Sequence, residues 1–137
     1  MSGARPDKIA PSLVIEGYAS LFGTQDLSGD RVRPGAFARA LRAGPVPMLL
    51  QHRSGAVAGS WTRLREDGRG LFVRGLVEAD PARALVRTGQ IRGLSIGFRP
   101  RVWWTVPGAG RCLADIDLVE ISLVALPMLA AARFSIV

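Results

Sequence analysis

The 137 residues carry 48% hydrophobic side chains and a formal net charge of +7. That length and apolar content describe one globular domain able to bury a core, not a disordered chain. No apolar run is long enough to span a membrane, and the first residues, M-S-G-A-R-P-D-K, lack the apolar stretch of a secretory signal. A single cysteine, Cys112, excludes an internal disulfide, so the expected compartment is a reducing one, the cytoplasm or a particle assembled there. Lys8 is the sole lysine among 18 basic residues, and the arginines are scattered from Arg5 to Arg133 without a dense block or interleaved aromatics. A dedicated nucleic-acid surface is therefore not expected, although a basic face could meet an acidic protein.

Along the chain, residues 1–11 read as a flexible leader and residues 12–137 as a single domain. Ser12 to Phe22 is rich in β-branched and aromatic residues and reads as a strand. A long loop of turn formers follows. Ala36 to Ala43 reads as a short helix with Phe37 and Leu41 on one face, stopped by Gly44 and Pro45. Val46 to Gln51 is a short strand ending at His52, after which the chain is expected to turn through Arg53-Ser54-Gly55. Ala56 to Arg65 and Gly70 to Glu78 form a hairpin around Asp67-Gly68. Asp80 offers an N-cap, with Pro81 opening a helix that runs to Gly89. Leu94 to Val106 and Cys112 to Leu126 are the last long strands, with a short segment expected in the tail. Trp103 and Trp104 should face opposite sides of their strand, one in the core and one outside. Strands outnumber helices and join mostly as hairpins. The expected fold is mainly β with α: a small, mostly antiparallel, closed or half-closed barrel flanked by about two helices.

The sharpest chemical signal is Gly93-Leu94-Ser95-Ile96-Gly97. Flanking glycines leave space for a carbonyl to reach the serine oxygen. The same spacing marks the nucleophile elbow of α/β-hydrolases, but that elbow needs a helix after the serine and a histidine late in the chain. Here a strand pattern follows Ser95, and the only histidine, His52, precedes it. A serine needs a base, and an imidazole suits that role near neutral pH. Taken alone, His52 could equally be a surface residue at a strand end.

An orienting carboxylate completes such a pair. Glu120 stands in D-L-V-E-I-S-L-V-A-L, where a charge among strand residues must be paired or face water. Alternation puts it on the face of Leu118 and Ser122, and an outward-facing glutamate is the plain alternative. Asp117 is the second choice of acid. Cys112 reads as structural. Asp26 and Asp30 flank a turn at Ser28-Gly29 but are too few to make a metal site, and neither a metal nor another cofactor is expected.

In order along the chain, E-G-Y-A-S-L-F, G-D-R-V-R-P-G-A-F, the apolar strand ending in His52, G-L-S-I-G-F and D-L-V-E-I-S-L-V-A-L-P resemble the successive blocks of phage prohead proteases. The resemblance covers about Ile15 to Pro127. It implies a fold similar to the herpesvirus capsid proteases, a β-barrel surrounded by helices. It also implies a serine endopeptidase that processes the major capsid protein precursor or scaffold inside the assembling procapsid, with self-cleavage common among relatives. The family's histidine falls on His52 and its serine on Ser95. The acidic position falls on Glu120, whereas the herpesvirus enzymes use a second histidine that this chain lacks. A homodimer is implied by the same relatives. Because the chain ends at Val137, soon after the core fold, any scaffold is expected to be a separate protein or part of the capsid subunit, in a prophage or a gene-transfer-agent-like particle. The competing expectation is an inactive assembly module of the same fold that binds scaffold through its basic surface.

Overall fold

A computed structural model describes residues 12–137, so the leader expected over residues 1–11 lies outside the described residues. The chain forms strands β1 (Leu13–Leu21) and β2 (Asp30–Val32), helix α1 (Ala38–Arg42), strands β3 (Pro47–Leu50), β4 (Arg53–Glu66) and β5 (Gly70–Val77), helix α2 (Asp80–Arg87), and strands β6 (Gly93–Thr105), β7 (Arg111–Val124) and β8 (Phe134–Ile136). All eight strands belong to one sheet, ordered β2-β7-β3-β4-β5-β1-β8, with β6 on the other side of β7.

The sheet curls until its ends meet. Gly93, at the start of β6, bridges to Arg133, while Leu94 N–H donates to Ala132 O at 2.8 Å and Phe134 N–H to Arg92 O at 3.0 Å. The same terminal segment then pairs β8 with β1. Gly17 permits this closure, because a Cβ there would collide with the Arg133 carbonyl. The interior is filled by Ile15, Met48, Leu71, Leu94, Ile121 and Leu123, all out of solvent, as expected for a barrel small enough to be packed by side chains. The expected barrel with two helices is the one observed. Antiparallel pairs predominate, but β2 and β3 both join β7 in parallel.

Several local readings are corrected by the structure. The loop after β1 contains a strand, β2, because Asp30 is buried and bonds both its oxygens to Arg111 at 2.7 and 2.8 Å, fastening three residues against β7. The N-cap of α2 is Ala79 and not Asp80, which lies in the first turn and pairs with Arg83. Helix α1 is shorter than expected and receives its cap from elsewhere: Glu66 accepts from Gly35 N–H at 2.8 Å and Phe37 N–H at 3.0 Å. Neither tryptophan is core; Trp103 is 46% and Trp104 42% exposed. The end of β6 from Arg101 to Thr105 is exposed, although Leu113, opposite Trp103 on β7, is buried. Arginines cover the rings, Arg111 over Trp103 at 5.2 Å and Arg33 over Trp104 at 5.4 Å.

The β4–β5 hairpin forms where the Asp-Gly pair places it, through the aspartate side chain. Asp67 Oδ1 accepts from Arg69 and Gly70 N–H, and Oδ2 accepts from the Tyr18 hydroxyl at 2.5 Å. The Tyr18 hydrogen bond, reinforced by the backbone donors, holds the Asp67 carboxyl below its ordinary value of 3.8. A carboxyl depressed in the folded state adds stability above its unfolded value, and that contribution is lost as pH falls through the folded one. Urea unfolding followed from about pH 5 downward should therefore show a steeper loss of stability for the native chain than for Asp67→Asn. Parallel pH curves for the two proteins would contradict this role.

Candidate functional site

The connection between β3 and β4 is the tightest available. Leu50 pairs with Arg53, leaving Gln51 and His52 as a two-residue turn. Both have positive φ, 55° and 61°, the pattern of a type I′ hairpin turn, which ordinarily calls for Asn-Gly. Two consecutive non-glycine residues in this region cost about 1–2 kcal/mol each. The turn thus falls at Gln51-His52, and Arg53-Ser54-Gly55, expected to turn, already belong to β4.

Strand β7 holds this corner. Gln51 N–H donates to Leu123 O at 2.9 Å, and Gln51 Oε1 accepts from Ala125 N–H at 3.0 Å. His52 N–H donates to Ser122 Oγ at 3.1 Å. The imidazole is fixed as well: His52 Nδ1 lies 2.6 Å from Glu120 Oε2. A carboxylate can only accept, so Nδ1 carries the proton and Nε2 of the neutral ring keeps a free lone pair. The His52 side chain is 43% exposed while that of Glu120 is 10% exposed, so the ring has a held edge and an accessible one.

Ser95 enters from the opposite side of β7. It pairs with Ser122 in the antiparallel β6–β7 ladder, and Gly97 pairs with Glu120. Residues directly opposite one another point to the same face. Ser95 therefore shares the face of Ser122 and Glu120, one strand away from the pair of residues that His52 contacts. Ser95 also borders a cavity lined by Leu94, Ile96, Phe98, Met128 and Leu129.

The bulge between Gly97 and Phe98 revises the expected alternation. It inserts Val119, so that Leu118 pairs with Phe98 and packs against the core, and only Ser122 shares the face of Glu120. Gly97 leaves room for the carboxylate in its observed position: a Cβ there would sit 2.7 Å from Glu120 Cδ and nearer still to Oε2. The absent side chain is the space the carboxylate occupies.

The other candidates are placed elsewhere. Asp117 pairs with Arg39 at 2.7 Å and has no contact with His52. Asp26 accepts from Ser28 and Asp30 within its own turn, and Asp30 is taken by Arg111. No group of three or more His, Cys, Asp or Glu among the described residues is placed to hold a metal ion. Cys112 is half-buried at the far end of β7, ten residues from Ser122, roughly 30 Å along an extended strand. Sequence reasoning passed over Ser122, although a hydroxyl inside the apolar run Ile121–Val124 was a visible sign.

With this geometry in place, comparison with known proteins is decisive. A family model described as Caudovirus prohead serine protease matches residues 5–137. The chain belongs to that family. It is 36% identical over 124 residues to the prohead protease of Enterobacteria phage HK97, covering 83% of this chain and 55% of the relative, so it spans about half that protein's length. The fold resembles the bacteriophage T4 capsid assembly protease, with TM-score 0.68 and 14% identity over 84% of this chain and 82% of that one. It also resembles the KSHV protease solved with a hexapeptide phosphonate inhibitor, with TM-score 0.67 and 17% identity over 92% and 65% of the two chains. No helix among the described residues is long and apolar enough to cross a membrane.

The Gly97 void makes a prediction that separates stability from geometry. Gly97→Ala should fold with a melting temperature within a few degrees of the native chain, a change of about 1–2 kcal/mol or less, because a side-chain tip can move aside. The low-field NMR signal of the His52 Nδ1 proton, unambiguous in a chain with one histidine, should disappear. A retained signal would show that Gly97 is not what admits the carboxylate.

Proposed function

We propose that the chain is a serine endopeptidase in which Ser95 is the nucleophile, His52 the general base and Glu120 the acid that orients it. The observation that carries this reading is the 2.6 Å contact between His52 Nδ1 and Glu120 Oε2, on the face that Ser95 shares. The contact sets the tautomer: with Nδ1–H given to the carboxylate, Nε2 is the nitrogen that takes the Ser95 proton. Ser95 Oγ attacks the scissile carbonyl, and the proton held on Nε2 is then delivered to the leaving amine. Glu120 stabilises the imidazolium formed in between. A water activated by the same imidazole releases the acyl group from Ser95.

Burial strengthens the electrostatic part of this arrangement. Ser95 and Glu120 are 6% and 8% exposed, and a carboxylate so placed is costly unless it is paired. An inactive assembly module would have no use for a buried acid opposite a strained, half-exposed imidazole. Family membership supports a capsid protein as the substrate class; processing of a capsid precursor or scaffold within the procapsid, self-cleavage and a homodimer belong to the proposal. The cavity beside Ser95, apolar at Leu94, Ile96, Phe98 and Leu129 and polar at Ser20, Thr24, Asp26 and Asp30, is a candidate recess for one substrate side chain.

Mass spectrometry of the capsid precursor co-produced with the native chain should reveal one defined truncation. Ser95→Ala and His52→Ala should each lower the cleavage rate by at least about 10⁴-fold, and Glu120→Gln by about 10³- to 10⁴-fold, all three remaining folded. Truncation that persists at the native rate in Ser95→Ala would refute the assignment.

A further inference from the structure

We propose that Ser122 is a positioning residue for the reaction, its hydroxyl holding the backbone and the ring of His52 at once; this rests on the reading of His52 as the base that serves Ser95. Ser122 is fully buried between Ile121 and Leu123, both also fully buried. An unpaired hydroxyl in such a place is costly. Here the group is used in both senses. Its hydrogen goes to Glu120 Oε1 at 2.6 Å, and its lone pair receives His52 N–H at 3.1 Å.

The two bonds have separate consequences. The first fixes the Glu120 carboxylate plane. Oε1 belongs to Ser122 and Oε2 to His52 Nδ1, so the carboxylate cannot rotate without breaking one of them. The second fastens the left-handed turn at its second residue, where φ is 61°. An imidazole on a strained two-residue turn has two ways to leave its place: the turn can relax, or the ring can swing about its side-chain torsions. The Ser122 hydroxyl opposes both, the former directly and the latter through Glu120. A single group that donates and accepts simultaneously is required, and among small side chains only serine and threonine provide it.

The position in the sheet adds a third link. Ser122 is the cross-strand partner of Ser95 and the parallel-ladder partner of Leu49, two residues before the turn. Any drift of Ser122 would therefore move the nucleophile's strand and the base's strand together. Ser122 is the point at which the two halves of the site share one coordinate frame.

The test uses the full chain with Ser122→Ala and Ser122→Thr. Three quantities are measured: cooperative thermal unfolding, the low-field His52 Nδ1 proton signal, and the rate at which diisopropyl fluorophosphate modifies Ser95, with the adduct located by mass spectrometry. Ser122→Ala should unfold cooperatively, lose the proton signal and react about ten- to a hundredfold more slowly. Ser122→Thr, which restores the hydroxyl, should recover signal and rate. A folded Ser122→Ala that keeps both would overturn the proposal. Should Ser122→Ala fail to fold, Ser122→Cys, similar in shape but a weak donor, takes its place with the same expected losses. The two readings fail separately. A native chain that is not labelled at Ser95 would count against the peptidase reading, while the proton signal alone still decides whether Ser122 holds His52.

Discussion

A neutral imidazole has two nitrogens, and it serves as a directed base only when one is held and the other is free. In this fold the holding is done by strand β7. Over three residues it supplies Glu120 to the ring and Ser122 to the backbone N–H, and it pairs on one side with β3, which leads to His52, and on the other with β6, which carries Ser95. A parallel neighbour on one edge and an antiparallel neighbour on the other bring together groups that are distant in sequence. The rest of the barrel, including the terminal closure through Arg133, serves to keep β7 in the middle of this arrangement.

The site is expensive by local criteria. Gln51-His52 occupies a turn made for Asn-Gly, a carboxylate and two hydroxyls are buried, and Gly97 forfeits side-chain packing in a strand. Each departure is compensated by a neighbouring departure: the strained turn by Ser122, the buried acid by the imidazole, the empty glycine position by the acid that fills it. Such mutual dependence marks a site where local rules yield to geometry. Elsewhere the chain obeys them, with Glu66 accepting at the start of α1, an aspartate-stabilised hairpin and arginines paired to surface acids.

Much of this was legible in the residues. Long strands with β-branched patterns and the Asp67-Gly68 turn pointed to the barrel, and a lone histidine left one candidate for the proposed base. Legibility failed where local pattern does not decide the structure. Strand β2 has only three residues, and its tie to β7 is an Asp30–Arg111 pair 81 positions apart, which no local pattern can announce. The turn at Gln51-His52 lacks glycine and asparagine, so turn chemistry pointed two residues too late, to Arg53-Ser54-Gly55. The Val119 bulge likewise broke an alternation that would have grouped Leu118 with Glu120. The tryptophans were misplaced because periodicity gives the faces of a strand but not whether another layer covers them.

The central claim is that β7 delivers His52 to Ser95. A crystal structure of the protein with Ser95 intact tests it most directly, through the distance from His52 Nε2 to Ser95 Oγ. The account predicts hydrogen-bond reach, about 3 Å or somewhat longer without substrate. A separation beyond about 7 Å, with the His52–Glu120 contact intact and no room for the turn to move, would contradict it.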